Sequence, residues 1–254
     1  MKSTMLKKQQ KRETRSERRK DRQRLVLNPG TFSNDEYFQP IIHQAKLEVK
    51  PLRALTEKQE TYLQLIKNNI VTIATGPAGT GKTFVAAAYA AEQLKAGNIE
   101  KIIITRPAIE CGESFGFLPG ELDEKYEPYI QPFRDVLNRR LGKSQVAYFL
   151  SHGQIEAKPM SFMRGLNFND CLVILDEAQN TTPTQMKMFL TRIGDNCKVV
   201  IDGDLEQRDV SGISGLQDAI YRLKSVASVG FVDFSEADIV RSGICRDIIR
   251  AYNY

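Results

Sequence analysis

Residues Gly76-Pro77-Ala78-Gly79-Thr80-Gly81-Lys82-Thr83 fit the spacing G-x-x-x-x-G-K-[ST]. They stand between a short apolar run, Ile70 to Ala74, and an Ala-rich helix-like stretch, Lys82 to Leu94. Each residue type has a task there. The glycines let the backbone wrap closely around an anion, and successive N–H groups at the helix N-terminus face it. Lys82 can reach the terminal phosphates of a nucleotide, and Thr83 offers a hydroxyl to Mg²⁺. Gly76, Pro77, Ala78, Gly79, Thr80, Gly81, Lys82 and Thr83 are therefore read as the phosphate cradle, at a turn from strand to helix.

Outward from that turn the same alternation continues. Lys101 to Thr105, Cys171 to Leu175, Lys198 to Ile201 and Val229 to Phe234 are short β-rich runs separated by helix-like stretches, the pattern of a parallel sheet with crossover helices. Leu172-Val173-Ile174-Leu175 is apolar throughout, as a strand buried on both faces must be. Thr182 and Pro183 supply an N-cap and a first helical residue for a helix to Ile193. Further helices are predicted over 213–224 and 242–252. The expected fold is α/β, a mostly parallel central sheet flanked by helices.

Two strand ends carry acids. The run Cys171 to Leu175 ends in Asp176-Glu177, which places two carboxylates at the carboxyl end of a buried strand, where open α/β sheets bind their ligands. Behind a P-loop, an Asp there holds the Mg²⁺ shell and an adjacent Glu can orient and deprotonate water. The plainer reading makes both residues caps of the next helix. The run ending at Ile201 leads into Asp202-Gly203-Asp204-Leu205-Glu206-Gln207-Arg208, read as a turn. Gln207 could contact both water and a γ-phosphate, with a solvated turn as the alternative. Upstream, Gln59 precedes a helix-like stretch; its carboxamide could read adenine, or it could be a surface side chain.

The chain of 254 residues is 41% hydrophobic and 26% charged, an ordinary globular balance that excludes disorder throughout and a fibre. Its net charge of +5 is unevenly placed. Residues 1–24 hold 11 Lys or Arg against 3 acids, a sum of +8, which leaves −3 for residues 25–254. Residues 1–24 are expected to be a basic disordered arm, 25–51 a tether and 52–254 the folded domain. No apolar run reaches the length of a membrane span and no secretory signal follows the basic start, so the expectation is a cytoplasmic protein without membrane contact. Cys111, Cys171, Cys197 and Cys245 have no metal-ligand spacing and are read as reduced, structural thiols. The segment from Glu110 to about Leu150, Gly-rich and then charged, fits a minimal strand and helix repeat least well. It is expected to be an insertion on the ligand side of the sheet.

Taken in order, Gly76 to Thr83, Thr105-Arg106-Pro107-Ala108, Gly116-Phe117-Leu118-Pro119-Gly120, Met163-Arg164-Gly165, Leu175-Asp176-Glu177-Ala178-Gln179-Asn180, Leu190-Thr191-Arg192 and Gly203-Asp204 resemble the PhoH family of phosphate-starvation-associated ATPases. The resemblance spans about residues 52–252. It implies a RecA-like P-loop ATPase using ATP and Mg²⁺, acting as a homo-oligomeric ring, a hexamer, on RNA or single-stranded DNA. It also implies adenine binding by Gln59, γ-phosphate sensing by Gln207, metal support by Thr83 and Asp176, and water activation by Glu177. The compact chain with its short basic arm looks like phage-encoded members, which would place it in a host cytoplasm. Asp238-Ile239-Val240-Arg241-Ser242-Gly243 keeps an Arg but departs from the family pattern after it.

A ring of single motor domains would take the arginine that neutralises the γ-phosphate from a neighbour. Arg241 is the first candidate and Arg192 the second, each weighed against an ordinary surface ion pair. Arg106, Arg164, Phe115, Phe117 and Phe162 are candidates for nucleic-acid contact, with core packing the favoured role for each Phe. A nucleotide-switched scaffold ring without unwinding is the alternative function. A small-molecule kinase fits poorly with the Asp-Glu pair and the lack of an evident lid.

Overall fold

The computed structural model describes residues 51–107 and 122–240, with the backbone alone for 122–129. Helix α1 (Glu57–Asn68) starts where Thr56, in extended conformation, accepts a hydrogen bond from the Gln59 backbone N–H at 3.1 Å. Its far end is held by a side chain remote in sequence. The Lys198 ammonium donates to the carbonyls of Ile66, Lys67 and Asn69 at 2.9, 2.9 and 2.8 Å, placing a cation on the negative end of the helix. Strand β1 (Val71–Thr75) follows, then α2 (Lys82–Lys95), β2 (Lys101–Arg106), α3 (Leu122–Leu141), α4 (Lys143–Ser151) and β3 (Ile155–Pro159). The remaining elements are β4 (Cys171–Leu175), α5 (Pro183–Leu190), β5 (Lys198–Gly203), α6 (Gly215–Leu223) and β6 (Val229–Asp233), with 3₁₀ turns at Met160–Met163, Ala178–Asn180 and Glu236–Asp238.

The six strands form one sheet in the order β3-β2-β4-β5-β1-β6. Every pair of neighbours is parallel. Period-two alternation divides the core between the two faces. Ile102, Ile104, Leu172, Ile174 and Val200 pack with α1, α2, α3 and α4. Ile103, Val173, Val199 and Ile201 pack with α5 and α6 on the other side. This is the RecA-like P-loop NTPase arrangement. Its consequence is that all strands end at one edge, with Thr75 level with Gly203 and Thr105 level with Leu175. The loops after β1, β4 and β5 emerge side by side at that edge.

Several expectations change. Strand β3 falls inside a region with no strand expected; Glu156 and Lys158 interrupt its apolar character because it is an edge strand pairing with β2 alone. Strand β5 runs on through Asp202 and Gly203 rather than turning after Ile201, since both residues keep pairing with β1. Helix α5 stops at Leu190, short of Ile193, with Thr191 as its C-cap. Phe162 is 52% exposed and is not a core residue. Cys171 and Cys197 are buried free thiols, their sulfurs 3.8 Å apart on adjacent strands. Residues 1–24, nearly all of 25–51, Phe115, Phe117, Cys111, Arg241, Cys245 and the helix expected over 242–252 lie outside the described residues. No helix among the described residues is long and apolar enough to cross a membrane.

Candidate nucleotide site

The loop from Gly76 to Gly81 joins β1 to α2 and turns on glycines in left-handed conformation. Gly76 has φ 121° and Gly81 φ 87°. A Cβ at Gly76 would strike the Phe234 carbonyl, and one at Gly81 would lie 2.6 Å from Gln59 Nε2, so both positions are limited by space as well as by φ. Lys82, at the start of α2, folds its ammonium back onto the loop. It donates to the carbonyls of Gly76 and Pro77 at 2.6 and 3.0 Å and to Thr80 Oγ1 at 3.4 Å. Burial lowers its pKa, while the charges of Asp202, Asp204, Asp176 and Glu177 act against that fall. Four acidic side chains thus act on the charge of one ammonium.

A cleft of about 420 Å³ opens beside the loop, lined by residues that include Lys82, Thr83, Asp176, Glu177 and Gln207. These five candidates come from three separate loops, which the common strand edge brings together. Pro132 and Val136 of α3 close one wall, so the expected insertion does reach the ligand side. Arg106, at the end of β2, also lines the cleft and lies on Asp176. Its Nε donates to Asp176 Oδ2 at 3.0 Å and its Nη2 to the same oxygen. The guanidinium carbon is 5.9 Å from the centre of the Phe133 ring. Glu177 adopts φ 54°, an uncommon conformation for a residue with a side chain.

Gln59 sits against the cradle. Its Nε2 donates to the Thr80 carbonyl at 2.8 Å and its Oε1 accepts from the Leu55 N–H at 2.9 Å. At 3% exposure it is no surface glutamine. One turn further along α1, the Tyr62 hydroxyl donates to Asp202 Oδ1 at 2.6 Å. The other oxygen of Asp202 has no hydrogen-bond partner among the described residues, and its residue is fully buried. Burial first, then the Asp176 charge, raise the Asp202 pKa to about 7, and the Tyr62 hydrogen bond and Lys82 oppose the rise. Asp202 and Tyr62 escape a reading of loops because both belong to regular elements. The one available signal was an acid directly continuing the apolar run Val199-Val200-Ile201.

Of the two arginine candidates, Arg192 lies among the described residues. Arg192 is half-buried and follows α5; its carbonyl accepts from the N–H of Phe168, which precedes β4. It therefore sits at the sheet edge opposite Asp176. Arg241 lies outside the described residues, although Val240, just before it, donates its backbone N–H to the Gly79 carbonyl at 3.0 Å. Arg164 and Phe162 are exposed beyond the carboxyl end of β3, the strand next to β2 and Arg106.

The family model for PhoH-like proteins matches residues 51–253. The chain belongs to the PhoH family. The match extends over every candidate site residue from Gln59 to Arg241. A PhoH-like protein of Bacillus subtilis (strain 168) is 44% identical over 223 residues, which cover 86% of this chain and 70% of that protein. Protein PhoH of Escherichia coli (strain K12) is 46% identical over 210 residues, covering 81% of this chain and 59% of that protein. The chain thus spans only part of the length of its PhoH relatives. Among solved structures, the large terminase of a thermophilic bacteriophage aligns with a TM-score of 0.45 and 10% identity, over 80% of this chain and 51% of that one. The UvsW helicase of bacteriophage T4 gives 0.46 and 12%, over 71% and 59%. For this PhoH family member the family and the P-loop geometry support nucleoside triphosphatase chemistry.

Proposed function

We propose that the chain binds ATP with Mg²⁺ in the cleft and hydrolyses it, as a hexameric ring acting on RNA or single-stranded DNA. The observation that carries the hydrolytic part is the meeting of Lys82, Asp176, Glu177 and Gln207 in one cleft. The donor set suits a hard divalent cation. The Thr83 hydroxyl and the Asp176 carboxylate, both lining the cleft, would be the oxygen ligands that hold it. When bound, Mg²⁺ would supply neutralisation of the phosphate charge. Lys82 exchanges its loop carbonyls for phosphate oxygens. Glu177 orients a water and accepts its proton as the water oxygen bonds to the γ-phosphorus and the bond to the β–γ bridging oxygen breaks. Gln207 reads whether the γ-phosphoryl group is present, and Gln59 holds the cradle at adenine's side.

The cations lining the described cleft are Lys82 and Arg106, and the second is engaged with Asp176. That favours an arginine from a neighbouring subunit, Arg241 or Arg192. Arg192 stands at the far edge of its own sheet and would serve the next subunit in a ring. Exposed Phe162 and Arg164 suit base stacking and phosphate contact. Glu177→Gln tests the chemistry: nucleotide binding should stay within a few-fold while turnover falls by about 10² or more. Normal turnover would remove Glu177 as the base. ATPase rate with and without single-stranded RNA then separates a motor, which is stimulated, from a switched scaffold, which is not.

A further inference from the structure

Gln179 is 1% exposed and lies in the 3₁₀ turn directly after Glu177. Its carboxamide has one acceptor and two donors, and all are matched. Nε2 donates to Glu177 Oε2 at 2.7 Å and to the Gln207 carbonyl at 3.3 Å, and Oε1 accepts from the Asp204 N–H at 3.0 Å. The loop after β5 is held close to this group: a Cβ at Gly203 would lie 2.8 Å from Gln179 Oε1 and 3.2 Å from its backbone nitrogen. Next to it, Asn180 Oδ1 accepts from the Asp209 N–H at 2.9 Å. Two consecutive side chains after Glu177 are thus bonded to the main chain at both ends of the 204–209 segment.

We propose that Gln179 is a positioning residue that joins the water-activating carboxylate to the loop bearing Gln207, so that loop movement and Glu177 alignment are one event. The proposal rests on the hydrolytic reading above. The hydrogen bond donated to Glu177 fixes a side chain whose backbone is in an uncommon conformation. When the loop shifts, its carbonyl at 207 and N–H at 204 carry the carboxamide with them. A glutamate in place of Gln179 would keep the acceptor for the Asp204 N–H but lose the donor to Glu177 and to the Gln207 carbonyl.

The test is steady-state ATPase and binding of a fluorescent ATP analogue for Gln179→Met and Gln179→Glu. Gln179→Met should bind the analogue within about threefold of wild type and keep its KM, while kcat falls by about 10², the scale of a misplaced catalytic group. Gln179→Glu, which keeps an acceptor at this position but no donor, should also lower kcat by about 10² while KM stays within about threefold. Unchanged kcat in either variant, or a fall in kcat matched by an equal loss of analogue binding, overturns the proposal. If the methionine variant fails to fold, the split between kcat and KM in the glutamate variant decides alone. An active Glu177→Gln enzyme would instead defeat the hydrolytic reading itself; inactive Glu177→Gln beside a normal Gln179→Met defeats only the role of Gln179.

Discussion

Replacing Asp202 by Asn should flatten the pH dependence of stability. In the fold this carboxyl is fully buried, with one oxygen bonded to Tyr62 and the other without a partner among the described residues, and its pKa is raised to about 7 from an ordinary 3.8. The folded chain therefore keeps a proton that the unfolded chain releases above about pH 4. Stability falls as pH climbs from about 4 to about 7, and the whole penalty is present above that. Each unit is worth about 1.4 kcal/mol, so the full difference is on the order of 4 kcal/mol, and the part between pH 5 and pH 8 is about 3 kcal/mol. Asn keeps an acceptor for Tyr62 but does not titrate. Its amide nitrogen, lacking a built acceptor, costs about 1–3 kcal/mol at every pH. Urea unfolding at pH 5 and pH 8, wild type against Asp202→Asn, isolates the term because other groups cancel in the comparison. The variant should gain about 3 kcal/mol relative to wild type between the two. Parallel pH dependences would show that Asp202 titrates in the fold as it does in water.

Arg106→Gln should tighten Mg²⁺ binding in the presence of ATP by about tenfold, the equivalent of about 1.4 kcal/mol, since the guanidinium on Asp176 competes with the cation; a Mn²⁺ titration followed by electron paramagnetic resonance reads this directly. Lys198→Met should destabilise the fold by about 2 kcal/mol in chemical denaturation, because three carbonyls at the end of α1 lose one charged donor. Deleting residues 1–24, with their sum of +8, should weaken RNA binding and reduce its salt slope. An unchanged slope in a fluorescence anisotropy titration would separate the arm from binding.

The central strands were legible in the sequence because burial on both faces writes itself as an unbroken apolar run; Cys171–Leu175 matches residue for residue. The edge strand β3 was not. Its charges are satisfied within the sheet, where Glu156 pairs with Lys101 and Lys158 at 2.6 and 2.5 Å, and such alternation reads as loop. The cradle and the Asp176-Glu177 pair were legible for a similar reason: their chemistry is local in sequence. Gln59, Tyr62 and Asp202 were harder to read, since what gives them meaning is contact between α1, the P-loop and β5. Gln179 stood inside a recognised motif, yet its bonding partners Asp204 and Gln207 lie on a loop 25 to 28 residues away. Phe162 looked like core because aromatic residues usually are, and only the end of β3 turns it outward.

The back-bonding of Lys82 onto its own loop changes what phosphate capture means. The ammonium already has two carbonyls and a hydroxyl as partners, so nucleotide entry is an exchange of acceptors, and the net gain is smaller than the contacts to phosphate alone would suggest. The same acceptors wait nearby when the product leaves. The cradle thus contains its own competitor for the lysine, which opposes tight retention of a spent diphosphate and favours repeated turnover.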